Sequence, residues 1–440
     1  MVNQYLLKAD LLIKNCTIIS LRDKKPVENG VIAIKGDLIA FAGKGRKNLE
    51  KHAERVIDAD GKVAIPGLIN CHTHVPMTLF RGVAEDKGLD EWLRQVIWPL
   101  EAKLRPEDVY YGAMLGCLEM IKTGTTCFVD MYFYEDMVAR AAQKVGIRAF
   151  LAPGIIEADT PKLGEKMLKE AIKVIKQFNG IANGRIRFLL GPHAVYTCSP
   201  KLLMKIKDFS AKLKVGLQIH LAESKELAEE VMSKYGVSET ELLEKIGFLG
   251  PDVLAAHCIH LTDGDIKLLA KNEVNVVHNP VANMKLGQGA AKIKKFIDAG
   301  INVCLGTDGP ASNNSLDMFE SMKIACLLQK LVYEDPSVLS AWQVLRMATL
   351  NAAKALGAEK ELGTIETGKK ADIVLVNFEN PNLIPVHDYY ANLVYSAKGK
   401  DVDTVVIDGK VVMENRKVKT VDEKEVIKKA AETAYDIIKR

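Results

Sequence analysis

The sequence predicts an α/β fold: a (β/α)8 TIM barrel with a small β-sandwich domain formed from both chain ends. Three observations carry this. Between positions 63 and 305, eight apolar, β-branched runs alternate with amphipathic helical patterns. Both ends of the chain are β-rich with turn signals, a texture unlike the middle. Polar groups follow several of the middle strands, at His72-Thr73-His74, Gly191-Pro192-His193, His220 to Glu223, His257 to His260 and Thr307-Asp308-Gly309. In a closed parallel barrel such strand ends share one rim.

The N-terminal β segments are Asp10 to Ile19, Val31 to Lys35, Leu38 to Ala42 and Arg55 to Asp58, with turns at Lys35-Gly36-Asp37 and Asp60-Gly61. Their C-terminal counterparts are Ala371 to Val376 and Asp403 to Ile407, then an Asp408-Gly409 hairpin turn into Lys410 to Met413. The first barrel strand is the apolar run Val63 to Ile69 before His72. The others are Thr125 to Val129, Ile147 to Leu151, Ile186 to Leu190, Val215 to Leu221, Val253 to Ala256, Val274 to Val277 and Ile301 to Leu305. Helical periodicity fills gaps at Leu163 to Phe178, Pro200 to Leu213, Lys225 to Tyr235 and Asp263 to Lys271. An open doubly wound sheet is the alternative, but no GxGxxG follows a strand. The resulting division is 1–66 and 363–420 for the small domain, 67–362 for the barrel and 421–440 for a charged amphipathic terminal helix.

The 440 residues suit one large domain plus a smaller one. Sixty Lys+Arg against 56 Asp+Glu leave a formal charge of +4, which offers no argument for nucleic acid or an anionic membrane. Eight cysteines are scattered without a CxxC, so they read as buried thiols of a reducing cytoplasm. The start of the chain has no signal-peptide pattern, and no apolar stretch reaches membrane-spanning length. A cytoplasmic protein is expected.

His72 and His74 stand two apart at a strand end, where i and i+2 share a face. With His220 at the fifth strand end and Asp308 at the eighth, they make three imidazoles and one carboxylate. That set suits Zn²⁺ or another divalent transition metal, with room for water. A metal-bound water loses its proton near neutral pH and becomes a nucleophile, and Asp308 can take that proton. Glu223 falls where it can shuttle a proton. His257 can hold the water or stabilise charge opposite Asp308. A lone histidine at a strand end is more often packed core, and His260, His52 and His387 take that reading. His278, in HNP, either lines the pocket or caps a loop. HExxH and the HxE with PCxxC signature are absent.

At these residues the sequence resembles the amidohydrolase superfamily, through PGLINCHTHV, QIHLAES, AAHCIHL, VVHNP and LGTDG. No lysine stands at the fourth strand end, so the resemblance is to mononuclear members. More narrowly it is similar to the 5′-methylthioadenosine/S-adenosylhomocysteine deaminases, which include 5′-deoxyadenosine deaminases. The stretches that carry this are 76–82, 89–101, 191–200, 278–289 and 307–318. The resemblance implies hydrolytic removal of the 6-amino group of an adenine nucleoside by attack of metal-bound hydroxide on C6, with one Zn²⁺ per subunit. It assigns His72, His74, His220 and Asp308 to the metal and Glu101 to the ribose hydroxyls, which one carboxylate can accept together. It makes His193 a substrate contact and Glu223 the residue that protonates the purine ring. Asp308 then also serves the substrate, passing a proton to the departing amine. Trp92 and Ser312 are implied base contacts.

Two departures bear on the substrate. Ile155 to Phe178 holds lysines but no arginine, where some members meet the 5′ substituent with arginine. Ala282 precedes Asn283 where many members have serine. Both leave room for methylthioadenosine, 5′-deoxyadenosine or adenosine. Two other readings are weighed: a superfamily enzyme acting on a free base or triazine, which the Glu101 segment argues against, and a non-enzymatic metal-stabilised binding module, which leaves Glu223, His257 and Asp308 without a purpose. The expected partner is a small nucleoside, and barrels of this kind also commonly self-assemble.

Overall fold

The computed structural model describes residues 8–45, 49–158 and 160–440. The first seven residues of the chain and of the 1–66 segment, on which the signal-peptide reading falls, lie outside the described residues.

Strands from both chain ends form one sheet of nine strands. Ile373–Asn377 pairs antiparallel with Lys62–Pro66, placing Val374 opposite Ile65, so the C-terminal strands continue the N-terminal ones edge to edge. Side chains from both ends, Ile13, Ile32 and Ile34 with Ile373, Leu375 and Val406, share one apolar cluster. The Asp408-Gly409 turn has both residues at positive φ (53° and 76°), as a tight hairpin requires. It joins Val402–Ile407 to Lys410–Glu414.

The apolar run before His72 is two strands rather than one. Lys62–Pro66 belongs to the terminal sheet and Leu68–Thr73 to the barrel. Gly67 makes the switch, its N–H donating to Asp372 O (2.9 Å). A Cβ there would sit 1.9 Å from Thr126 Oγ1, so only glycine allows the two backbones to approach this closely.

The barrel strands are β1 (Leu68–Thr73), β2 (Thr125–Tyr132), β3 (Arg148–Ile155), β4 (Ile186–Phe188 and Gly191–Pro192), β5 (Leu217–Leu221), β6 (Val253–His257), β7 (Asn275–His278) and β8 (Val303–Leu305). β1 to β4 pair in parallel, as do β5 to β8. Two irregular seams join these halves. At one, β4 meets β5 through isolated bridges, Leu190 with Leu217 and Ala194 with His220. β4 is interrupted at Leu189 and Leu190, between its two pieces. At the other, Asn70 takes the place of a ladder: its Nδ2 donates to Thr307 Oγ1 (2.6 Å) and its Oδ1 accepts from Thr307 N (3.0 Å). Asp308 N then donates to His72 O (3.0 Å). The ends of β1 and β8 are thus sewn together where the chemistry lies.

The outer helices follow the expected periodicity. In Pro161–Phe178 the buried Leu168, Ala171, Ile175 and Phe178 recur at three- and four-residue spacing. Ser199 caps Pro200–Leu213 by accepting from Leu202 N (3.3 Å). The terminal helix Glu423–Lys439 starts at Asp422, which accepts from Lys424 N and Glu425 N. Far from the rim, Arg148 at the start of β3 is 1% exposed. It donates to Asp372 (2.9 and 3.1 Å) and Asp408 (3.1 Å), pinning the terminal sheet to the barrel.

Removing that guanidinium would leave the buried Asp372 without a cation, while Asp408 keeps Arg185 (3.6 Å) and Lys370 (3.8 Å). Arg148→Met is therefore expected to lose about 3–5 kcal/mol in chemical denaturation. A loss below about 1 kcal/mol would show that the clamp carries little.

Candidate functional site

Three histidines on the rim are held by one rule: Nδ1 is spent on an oxygen acceptor, and Nε2 is left for the centre. His74 Nδ1 donates to Met131 O on β2 (2.6 Å). His220 Nδ1 donates to His193 O (2.8 Å), and His257 Nδ1 to Asn283 Oδ1 (2.8 Å). His72 differs, being wholly buried with no hydrogen bond at either ring nitrogen. Its Nε2 lies 3.4 Å from Asp308 Oδ1, while His74 Nε2 lies 3.2 Å from the same oxygen and 3.4 Å from His220 Nε2.

Asp308 is fixed from three sides. Its N–H is tied to β1, its Oδ2 accepts from Ser312 Oγ (2.7 Å), and its backbone sits at φ 65°. Burial alone would raise its pKa, but His72 and His74 beside it hold it well below the usual carboxylate range. In return, Asp308 lifts His74 to about 9 against the pull of burial. Burial takes His72 down to about 4 and His220 further below its ordinary value. Ala222, His257 and Cys258 also have positive φ (47°, 72° and 52°). Non-glycine residues hold such conformations where the surroundings over-determine them, and here they cluster at the strand ends.

A cavity of about 670 Å³ opens on this centre. His74, His193, His220, Glu223, Asp308 and Glu101 line it, with Trp92, Trp98 and Leu286 among its apolar walls. Burial pushes the Glu223 carboxyl up to about 8, and the like charge of Asp308 adds to this. Glu223 therefore holds a proton at neutral pH. Burial drives His193 down to about 3, so its ring is neutral; its Nδ1 lies 2.9 Å from Thr197 Oγ1. Glu101 is raised to about 7 by burial, with the Tyr132 hydroxyl and His74 opposing.

All the residues singled out from the sequence as chemical candidates come to this one region. His257 stands behind the cavity wall, its Nε2 3.7 Å from Glu223 Oε1. Ser312 is not a wall residue; it is fully buried and bonded to Asp308 and to Gly309 O. Trp92 does line the cavity. His278 neither lines it nor makes a capping bond: its ring is buried without a partner among the described residues. His260 Nε2 donates to Gln288 O (2.8 Å), a packing role. The sequence reading missed the residues that aim the rings, above all Asn283 and Asn279 beside His257. Their i, i+4 spacing after HNP was the available signal.

The donors fit a borderline divalent ion. His72, His74 and Asp308 have ligand atoms within 4.8 Å of one another, as do His72, His220 and His257. A buried imidazole with no partner is costly, and nitrogens facing a carboxylate demand positive charge among them. Zn²⁺ answers both needs.

The model of the Amidohydrolase family matches residues 63–412. The chain is 48% identical over 433 residues to the 5′-deoxyadenosine deaminase of Methanosarcina acetivorans, covering 98% of this chain and 99% of that one. It is 48% identical over 429 residues to the 5-methylthioadenosine/S-adenosylhomocysteine deaminase of Desulforudis audaxviator, covering 97% and 99%. Among solved structures it is similar to an adenosine deaminase from Xanthomonas campestris with bound zinc, with TM-score 0.94, 32% identity and coverage of 98% and 99%.

Ser312→Ala removes the hydroxyl that orients Asp308. Chelator competition should show metal affinity weakened by about 10- to 100-fold. Unchanged affinity would mean that Asp308 is held without it.

Proposed function

The chain belongs to the amidohydrolase family, and on that premise we propose that it hydrolytically deaminates 5′-modified adenosines to the inosine analogues and ammonia. One observation carries the reading. A single cavity is lined together by His74, His220 and Asp308 of the assigned metal centre, by Glu223, whose carboxyl burial pushes up to about 8, and by Glu101. That set of groups suits a purine presented at C6 with its ribose hydroxyls at Glu101. The relatives' activities support the same chemistry.

We assign one divalent ion, Zn²⁺ or a similar transition metal, to His72, His74, His220 and Asp308. When bound it supplies the Lewis acidity that makes water nucleophilic near neutral pH. Glu223 donates its proton to the ring nitrogen next to C6, so that addition of water oxygen at C6 does not build a full anion. Asp308, kept ionised, takes one proton from the water and delivers it to the departing amine, and the water's second proton returns to Glu223 as the C6 carbonyl forms. Neutral His193 contacts the nucleoside, and Trp92 offers its ring face to the base. Glu101 accepts from the two ribose hydroxyls. His257, aimed by Asn283, presents Nε2 where the attacking water is to be held.

In this reading residues 67–362 form the catalytic unit, braced by segments 1–66 and 363–420 and by helix 421–440. Among the described residues, no helix is long and apolar enough to cross a membrane. All eight cysteines are free and buried, which supports work in a reducing cytoplasm.

Loss of absorbance near the adenine maximum tests the proposal. Adenosine, 5′-deoxyadenosine and methylthioadenosine should turn over, and adenine, guanine and cytosine should not. Turnover of free bases alone would overturn it. Glu223→Gln should keep its metal and lose about 10²- to 10⁴-fold in kcat, because proton delivery alone is removed. Wild-type turnover in that variant would take Glu223 out of the mechanism.

A further inference from the structure

Glu239 is a buried acid that the chemistry above does not use. It opens the short helix Glu239–Lys245. Among the described residues no lysine, arginine or histidine pairs with it, and its side chain makes one hydrogen bond: Oε2 accepts from Ala222 N (3.3 Å). We propose, building on the deaminase reading, that Glu239 is a positioning residue for the proton donor Glu223, and that it acts by holding the Ala222 peptide.

The backbone between the end of β5 and Glu223 is gripped on both sides. Glu239 takes the Ala222 N–H, while Ala222 O accepts from Ile259 N and His260 N (3.0 Å each). Just before it, Leu221 O accepts from Cys258 N (2.9 Å). Just after Glu223, Ser224 Oγ accepts from Leu227 N (3.1 Å) and starts the next helix. Ala222 stands at φ 47°, a conformation a non-glycine residue keeps only where its surroundings impose it. Glu239 is itself fixed from outside. Ser238 caps its helix by accepting from Glu241 N (3.1 Å) and donates to Asp265 in the first turn of the helix Asp263–Lys271. Burial raises the Glu239 carboxyl to about 7, the Ala222 N–H opposing and the like charges of Glu223 and Asp265 adding. A buried carboxyl with two acids near it and no cation costs stability. Packing alone would favour an apolar side chain there, so the oxygen offered to Ala222 N is what the position supplies.

The test is a double-mutant cycle on the kinetics of 5′-deoxyadenosine. Glu239→Leu removes the acceptor at similar volume. It should lower kcat about 10- to 100-fold, the cost of a small displacement of a reacting group, with KM within about twofold and metal content unchanged. Glu239→Gln keeps an oxygen for Ala222 N and should stay within about threefold of the natural kcat. In a Glu223→Gln background, Glu239→Leu should change kcat by less than about twofold, because its effect passes through Glu223. Glu239→Asp draws the acceptor back by one methylene and keeps the charge. It should repeat the pattern of Glu239→Leu, and it carries the cycle if the leucine variant does not fold. An equal loss with and without the Glu223 carboxyl, or a glutamine variant as slow as the aspartate one, would overturn the inference and leave the deaminase reading standing. No turnover of 5′-deoxyadenosine, methylthioadenosine or adenosine by the natural protein would overturn both.

Discussion

The structure is organised around an unmet demand for positive charge. Asp308 Oδ1 and the Nε2 atoms of His72, His74 and His220 converge inside a buried pocket, 3.2–3.4 Å apart in their nearest pairs. Such a gathering is unfavourable unless something positive sits within it. The lift of His74 to about 9 and the strong suppression of Asp308 express the same need in protons. A divalent ion bound among these groups would satisfy it.

Much of the surrounding architecture serves to hold that gathering in place. The seam between β8 and β1 is closed by Asn70, Thr307 and the Asp308 N–H, so barrel closure and placement of the carboxylate are one event. Each aimed imidazole borrows its acceptor from a neighbouring element: Met131 on β2 for His74, His193 after β4 for His220, Asn283 after β7 for His257. Positive φ at Ala222, His257 and Asp308 is the strain this costs. The same rim then divides labour by environment. Burial keeps Glu223 protonated, whereas its neighbour Asp308 stays ionised because the histidines face it. Two carboxyl groups in one cavity thereby take opposite roles.

The site was more legible in the sequence than the fold's seams were. Strand ends followed by His, Glu or Asp announce a rim because period-two alternation and barrel topology fix where those side chains go. His72, His74, His220 and Asp308 stood out as candidates for that reason, and the structure brings their side chains together. The division of Val63 to Ile69 between two sheets was not visible, because both pieces are apolar and only Gly67 marks the switch, through its close approach to Thr126, 59 residues away along the chain. The break in β4 at Leu189 and Leu190 was not visible either, because the bridges that tie this stretch down come from β5. Ser312 was read as a base contact and proved to be the support of Asp308. Asn283 likewise acts through the His257 ring, and Thr197 meets the His193 ring. Such residues are common polar types in loops, and apart from the i, i+4 spacing of Asn279 and Asn283 their positions carry no signal of the ring they meet.

Elemental analysis of the purified, catalytically active protein tests the central claim most directly. The account predicts one divalent transition ion per chain, lost together with turnover on chelation and restored with it. Full activity in protein holding far less than one such ion per chain would contradict it.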